Sequence, residues 1–211
     1  MAAEVTSARE HSTANAGNAV RGDVRTVGGV TENGYSAPLK RAILSYENSH
    51  RREDVEHIAV YDDEGNQLSH RKSKKQDEVN LYPKDVPRES LILTHNHPGG
   101  LFHDGVMSIG NSFSLEDMKL ALKYNAKEIR AVTPRYTFSI KRNGDSWGVT
   151  SRQISKAFKN AEARVTAEGQ SYADRIGFSK TVDERYHVTY FHKINKLVAK
   201  ELGWNYSKKK G

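Results

Sequence analysis

Two histidines, a serine and an aspartate occur in the middle of this chain in an order that suits a metal site. The sequence has His-Asn-His-Pro from residue 95 and Ser-Leu-Glu-Asp from residue 114. Imidazole and carboxylate groups are ligands of catalytic Zn²⁺, which usually takes three from the protein and leaves a fourth position to water. The residue types therefore predict a Zn²⁺ site with His95, His97 and Asp117 as ligands.

A strand and a helix are predicted to position these groups. The apolar run at residues 90–94 is typical of a buried strand, which carries His95 and His97 at its C-terminal end. Side chains alternate along a strand, so the two histidines share a face and the residue between them points away. Apolar residues recur at helical spacing over 115–124, which places Asp117 in the first turn of a helix.

Ser114 and Asp117 also fit a second interpretation. Ser-x-x-Asp before an apolar run is typical of a helix start, where the Ser hydroxyl accepts a backbone N–H and the acid suits the helix dipole. That interpretation does not account for two alternating histidines followed by Pro-Gly-Gly. Both interpretations stay open for Ser114 and Asp117.

The combined pattern resembles the JAMM (MPN+/JAB) zinc metalloprotease motif over residues 37–142. The form Thr-His-Asn-His-Pro-Gly-Gly is particularly similar to the RadC-like branch and to related domains of phage head-morphogenesis proteins. The resemblance implies that His95, His97 and Asp117 hold Zn²⁺. It also implies that Ser114 supports the tetrahedral intermediate, and that a glutamate at the head of an earlier strand is the general base.

Glu56 is the predicted general base. An amphipathic helix is predicted over residues 38–51 with Ser36 as its N-cap, and a strand over residues 57–61 follows it. Glu56 stands at the head of that strand, and Glu53 and Glu47 are the reserve candidates. The alternative interpretation of Glu56 is a solvated charge in front of a strand.

The loop over residues 99–113 is longer than the resembled family usually has between its His-Pro and its Ser. Long ordered loops in compact domains tend to be functional, so this one is interpreted as gating the substrate, closing the site or supplying a further ligand. His103 and Asp104 are the residues in it that could act as ligands.

The implied chemistry is hydrolysis of a peptide or isopeptide bond in a protein substrate. Zn²⁺ lowers the pKa of a bound water to about 7, so a neighbouring carboxylate can deprotonate it. Glu56 would take that proton and deliver it to the departing amine. Zn²⁺ and the Ser114 hydroxyl would stabilise the charge that grows on the carbonyl oxygen.

Composition excludes several other classes of protein. The chain has no cysteine, which excludes disulfides, thiolate zinc sites and the Cys-x-x-Cys site of zinc deaminases. No stretch is apolar enough to span a bilayer, and the first residues lack the apolar core of a signal peptide. We therefore expect a cytoplasmic or phage-associated (virion-associated) protein with no membrane partner.

Three regions are predicted: a flexible tail over residues 1–35, a zinc domain over 36–149 and a basic helical extension over 150–211. Residues 150–211 hold 13 Lys and Arg against six Asp and Glu, whereas residues 1–149 hold 20 of each. Basic residues interleaved with aromatic ones suit nucleic acid or an acidic protein surface. The alternative is a helical cap with buried aromatics and a solvated lysine face. The closing Lys208-Lys209-Lys210 is interpreted as a frayed basic end.

The expected fold class is α/β, a mixed sheet flanked by helices with a JAB/MPN-like, cytidine-deaminase-like architecture. Further strands are predicted over 78–82 and, as a hairpin, over 128–132 and 136–140. An active zinc protease or isopeptidase is the first functional hypothesis. The second is a phage-type or RadC-like domain that binds nucleic acid or an assembly and whose metal is structural or vestigial. A metal-dependent nuclease is a weaker third.

Overall fold

The computed structural model describes residues 34–73, 81–82, 84, 86, 91–98, 111–176 and 184–211. For residues 172–176 and 184–188 it describes the backbone alone. The helices of these ranges are α1 (Ala37–His50), α2 (Leu115–Lys123), α3 (Ser151–Ile176) and α4 (Glu184–Leu202). The strands are β1 (His57–Tyr61), β2 (Gln67–Lys72), β3 (Ile92–Asn96), β4 (Glu128–Val132), β5 (Tyr136–Lys141) and β6 (Asn205–Lys210).

The described strands form one mixed sheet, which confirms the α/β class. Their order is β2-β1-β3-β4-β5-β6, and β3 pairs in parallel with β4 while every other neighbouring pair is antiparallel. His95 lies opposite Ile58 on β1 and Ala131 on β4. The strand that carries the histidines is therefore an interior strand, held by hydrogen bonds on both sides.

Helices cover both faces of this sheet, and the interior strands β1 and β3 are buried along their whole length. On one face α1 packs Leu39 and Ile43 against Ala59 and Ile92. On the other face α2, α3 and α4 share a larger core with the alternate strand residues. Alternation along a strand assigns neighbouring residues to opposite faces. Any chemical group on β1 or β3 is consequently committed to one face by its position.

Most elements predicted from the sequence are present with small shifts of their ends. Helix α1 begins after Ser36, whose side chain accepts a hydrogen bond from the Leu39 N–H at 3.2 Å, as the N-cap prediction requires. The strand over 57–61 and the hairpin of β4 and β5 are also confirmed. Of the strand predicted over 78–82, residues 78–80 lie outside the described part, and residues 81 and 82 are not in a strand.

Tyr35, the last residue of the predicted tail, is packed into the fold. Residues 1–33 lie outside the described part of the chain. Tyr35, however, is buried and its hydroxyl donates a hydrogen bond to the Glu128 carboxylate on β4. Burial, followed by the charge of Glu128, raises the pKa of Tyr35 above its usual value. The ordered unit therefore begins before the helix cap.

The prediction of a frayed basic end at residues 208–210 is wrong. These lysines belong to β6, which pairs with β5 from Asn205↔Lys141 to Lys210↔Tyr136. Lysine is disfavoured in strands in general but is common on edge strands, where its charge discourages pairing with other chains. The Lys208 ammonium lies 4.0 Å from the centre of the Tyr136 ring, a cation–π contact that ties the strand down.

Within 150–211 the structure describes helices α3 and α4, and the described aromatic side chains there are mostly packed rather than exposed. Phe158 and Trp204 are buried in the same core as β4 and β5. Trp204 stacks edge-on against Trp147, with ring centres 4.7 Å apart. The described aromatics thus support the interpretation as a packed cap with a solvated basic face. The aromatics at 172, 178 and 186 lie outside the described side chains.

The described helices include none that is long and apolar enough to cross a membrane.

The turn between β1 and β2 depends on Gly65. Its φ of +92° is unfavourable for other residues, and a Cβ there would lie 2.7 Å from the Leu39 nitrogen of α1. We expect Gly65→Ala to lower the free energy of unfolding by on the order of 1–3 kcal/mol or more, measured by urea denaturation. Gly144→Ala is the control, since it has a φ of +69° with no atom within 4 Å of the added Cβ. Equal losses in the two variants would contradict the contact with α1.

Candidate metal centre

Four side chains from three elements converge at the C-terminal end of β3. Glu56, His95, His97 and Asp117 each offer a ligand atom, and these atoms all lie within 4.8 Å of one another. His95 lies in β3 and His97 directly after it, Glu56 directly precedes β1, and Asp117 is in the first turn of α2. The predicted strand and helix do meet here, and the three predicted ligands and the predicted base lie together.

The donor atoms are spaced as a small tetrahedral ion requires. The Nε2 atoms of His95 and His97 are 2.8 Å apart. Asp117 Oδ1 is 3.3 Å from the first and Asp117 Oδ2 3.6 Å from the second. Tetrahedral Zn²⁺ with bonds of about 2.0–2.1 Å separates its ligand atoms by about 3.3 Å. The donor set and its spacing therefore fit Zn²⁺ with only small side-chain adjustments.

His97 is oriented by the backbone of the following segment. Its Nδ1–H donates to the Asn111 carbonyl at 2.6 Å, which leaves Nε2 to face the cluster. Metal-binding histidines commonly donate their other ring N–H to a carbonyl or carboxylate in this way. Burial opposes protonation of His97, but hydrogen bonding to Asp117 and the Asp117 charge outweigh it and raise the pKa to about 9. The metal-free imidazole is thus a cation paired with Asp117.

The two interpretations of Ser114 and Asp117 are compatible. Both residues belong to the capping box of α2, and Asp117 is also a member of the cluster. Ser114 is the N-cap of α2, and its hydroxyl and backbone N–H reach Asp117 Oδ2 at 2.8 and 2.7 Å. These bonds occupy Oδ2 and leave Oδ1 toward His95 Nε2. Burial raises the pKa of Asp117, but electrostatic interactions and hydrogen bonds with His95 and His97 lower it well below its usual range. Asp117 is therefore ionised, and its Oδ1 is directed toward His95 Nε2.

Glu56 has a positioning device that the sequence pattern did not reveal. Asn96 points to the other face, as predicted, where its Oδ1 accepts the His57 N–H at 2.7 Å and its Nδ2 donates to the Val55 carbonyl at 3.0 Å. The backbone on both sides of Glu56 is thereby fixed to β3. The Glu56 carboxylate lies 3.9 Å from His95 Nε2 and is nearly buried. Asn96 connects the strand of ligands to the base.

The two reserve candidates for the base lie elsewhere. Glu47 is fully buried on the α1 face, where Arg130 binds it through Nε at 2.5 Å and through a second nitrogen at 3.1 Å. Helix α1 projects it away from the cluster because that side of the helix packs on the sheet. Glu53 is exposed in the turn after α1. Of the three glutamates, Glu56 alone joins the histidines.

The members of the cluster differ in exposure. The side chains of His95 and Glu56 are 1% and 9% exposed, whereas those of His97 and Asp117 are 17% and 15% exposed. The sequence-based candidates His103 and Asp104 lie outside the described residues, as does most of the loop over 99–113.

The last residues of that loop are held by the C-terminal part of the chain. The Asn195 amide on α4 donates to Ser112 Oγ at 2.8 Å and to the Phe113 carbonyl at 3.0 Å. Ser112 Oγ also lies 3.0 Å from the Tyr206 hydroxyl on β6. These contacts fix the segment that supplies the Asn111 carbonyl to His97. The region predicted as a basic extension therefore helps to position His97. It does so by contacts between distant segments, which no local motif could indicate.

His192 extends this network and gives it a pH dependence. Its Nδ1 lies 2.8 Å from the Tyr206 hydroxyl, and burial, followed by the charges of Lys208 and Lys196, lowers its pKa to about 4. An unfolded histidine has a pKa of about 6.5, so the unfolded state binds more protons between these values. The contribution of neutral His192 to stability is present above about pH 6.5 and is lost as the pH falls toward 4.

We expect His192→Asn to flatten the fall in stability between pH 6.5 and about 4. Urea midpoints of wild type and variant, measured across this range in the presence of a chelator, test the expectation. His57 has a lowered pKa as well, so part of the slope should remain in the variant. Parallel curves for the two proteins would show that His192 does not titrate as described.

Comparisons with models of protein families, with curated proteins and with solved structures found no match to this chain.

Proposed function

We propose that this chain is a zinc-dependent metallopeptidase of the JAMM/MPN type that hydrolyses a peptide or isopeptide bond in a protein substrate. The observation that carries the proposal is the convergence of His95, His97 and Asp117 at Zn²⁺ spacing with Glu56 beside them. The four side chains offer a three-residue ligand set and a further carboxylate beside it. The JAB-like architecture of the sheet and helices is part of the same proposal.

Zn²⁺ at such a site lowers the pKa of a coordinated water to about 7 and polarises a carbonyl. His95 and His97 would hold the ion through Nε2 and Asp117 through Oδ1, since its Oδ2 is engaged by Ser114. Glu56 would accept a proton from the attacking water, hold it in a nearly buried place and deliver it to the departing amine. Asn96 would hold Glu56 in position, and the Asn111 carbonyl would hold His97.

Ser114 has two tasks in this proposal. The Ser114 hydroxyl donates a hydrogen bond to Asp117, and Ser114 lies at the edge of the cluster as the N-cap of α2. When negative charge grows on the substrate carbonyl oxygen, the hydroxyl can turn to donate to it, because the Ser114 backbone N–H still holds Asp117 Oδ2. The hydrogen bond from the Ser114 backbone N–H keeps Asp117 oriented while the Ser114 hydroxyl donates to the substrate.

A second function is favoured by one specific observation. Exposed basic residues are frequent on α3, α4 and β6: Arg152, Lys156, Lys159, Arg164, Lys193, Lys196, Lys200, Lys209 and Lys210. Exposed Lys and Arg side chains suit the phosphates of nucleic acid or an acidic assembly partner. In this alternative the metal would stabilise the fold, and the basic residues would bind the nucleic acid or the acidic partner.

Zinc loading followed by two assays separates the two functions. The full chain is loaded with one equivalent of Zn²⁺ and tested on fluorogenic peptides and on peptides joined through a lysine side chain. The peptidase proposal expects cleavage that a chelator stops and added Zn²⁺ restores. Absence of cleavage in both bond classes, together with DNA binding that weakens steeply with salt, would replace it by the second function.

A further inference from the structure

A second cluster of metal-binding side chains lies on the opposite face of the sheet. His50 is the last residue of α1, His57 is the first of β1, and His70 is on β2. Ala59 pairs with His70, so His57 and His70 lie on the α1 face of neighbouring strands. None of the three belongs to the site of His95 and His97, and the sequence motif did not include them.

The three rings are close enough to share one ion. One ring nitrogen from each lies within 4.8 Å of the other two. His57 Nδ1 and His70 Nε2 are 3.0 Å apart, and their rings are stacked at an interplanar angle of 17°. The His50 ring centre lies 4.6 Å from that of His57 and 5.3 Å from that of His70. Three imidazoles therefore enclose one small space.

The protonation of these rings suits a metal. His50 Nδ1 lies 2.9 Å from the Tyr46 carbonyl, to which it can donate, and this leaves Nε2 with a free lone pair. Burial, followed by the charges of His50, His70 and Lys72, lowers the pKa of His57 to about 4. Burial, followed by the charges of His50 and Lys72, lowers the pKa of His70 too. Neutral rings at neutral pH are the form that binds metal.

Packing alone leaves a polar group unexplained. His57 Nδ1 and His70 Nε2 can share one proton, which accounts for their 3.0 Å contact. His57 Nε2 is then buried with no hydrogen-bond partner in the described part of the chain. His70, by contrast, is exposed at the edge of the sheet, so solvent ions can reach the cluster from its side. The arrangement is accessible, neutral and rich in nitrogen donors.

We propose that His50, His57 and His70 form a second site for a divalent transition-metal ion of the imidazole-preferring class, Zn²⁺, Ni²⁺ or Cu²⁺. The ion would tie the end of α1 to β1 and β2 and leave a coordination position to water. Because His57 follows Glu56 directly and its N–H is held by Asn96, the ion would stiffen the backbone that carries the candidate base. The role is structural support of the first site.

Cu²⁺ is the probe for this site, since bound imidazole nitrogens split its electron paramagnetic resonance spectrum. Untagged full-length protein with His97→Ala, which weakens the first site, is titrated with Cu²⁺ at pH 7.5. We expect one ion per chain with coupling to several nitrogens, a rise in thermal midpoint on binding, and competition by Zn²⁺. His70→Ala in this background should weaken binding by more than about 100-fold and remove the rise in midpoint.

His192→Asn is the matched control, because it removes a histidine of similarly lowered pKa from a different part of the fold. It should leave Cu²⁺ binding unchanged. If His97→Ala does not fold, Asp117→Asn takes its place as the background. Equal Cu²⁺ affinity with and without His70, or a spectrum without nitrogen splitting, would overturn the proposal. Neither outcome bears on Zn²⁺ at His95, so this inference and the proposed function can fail separately.

Discussion

Replacing His97 by alanine is expected to abolish tight Zn²⁺ binding at the first site. The variant loses one of three ligands, and it leaves Asp117 with a single imidazole partner on His95. Removing a group that only hydrogen-bonds to a metal ligand typically lowers the metal affinity by about 10–100-fold. Removing the ligand itself should lower it by more than this. Competition with a chromogenic chelator measures it. The measurement is made in the His70→Ala background, where the three-histidine cluster cannot contribute.

His50→Ala in the same background should keep the affinity for Zn²⁺, since His50 lies on the other face of the sheet and outside the cluster of His95 and His97. Circular dichroism and urea midpoints exclude simple unfolding as the cause of lost binding. If the His97→Ala protein holds Zn²⁺ as tightly as its parent, the assignment of His97 as a ligand is wrong. The hydrogen bond to the Asn111 carbonyl would then serve only to pack the imidazole.

The second large effect is expected for Glu56→Gln, which keeps the size of the side chain and removes its basicity. The variant should bind Zn²⁺ with little change, because His95, His97 and Asp117 complete the ligand set without Glu56. The rate of cleavage should fall by about 10²–10⁴-fold, the usual contribution of a general acid or base. Turnover of the peptide substrate found by screening, at equal Zn²⁺ occupancy, measures the loss.

Glu53→Gln is the matched control for this variant, since Glu53 is exposed three residues away and outside the cluster. It removes the same charge from the same segment and should leave the rate near that of the parent. A Glu56→Gln protein that cleaves as fast as the parent would transfer the role of base to another group. A variant that also loses Zn²⁺ would instead make Glu56 a fourth ligand.

The elements and candidate residues that could be predicted from the sequence are those that depend on local pattern. Ser36 and Pro38 mark the start of α1, and the apolar run before His95 marks an interior strand. Strand alternation alone puts His95 and His97 on one face. The meeting with Asp117 needed the resemblance as well, because no spacing rule fixes how a helix after a long loop returns to a strand.

The parts that could not be predicted depend on contacts between distant segments. The two edge strands β2 and β6 are mostly polar, since an edge strand beside solvent needs little apolar surface. Their sequences therefore resemble loops or tails. Asn96 binds backbone groups beside Glu56 through its side chain, and Asn111 offers its backbone carbonyl to His97, so neither contact has a local sequence signature. The three-histidine cluster joins residues 50, 57 and 70, whose approach follows only from the packing of α1 on β1 and β2.

The alternation of faces along β1 makes the whole arrangement sensitive to slippage. Glu56 and His57 are consecutive in sequence but serve different clusters on opposite sides of one sheet. Sliding this strand by a single position would move one of the two to the opposite face. In one direction an imidazole would replace the carboxylate beside His95, and in the other a carboxylate would enter the rings of His50 and His70. Insertions or deletions between α1 and β1 should therefore silence both centres at once, even where the protein still folds.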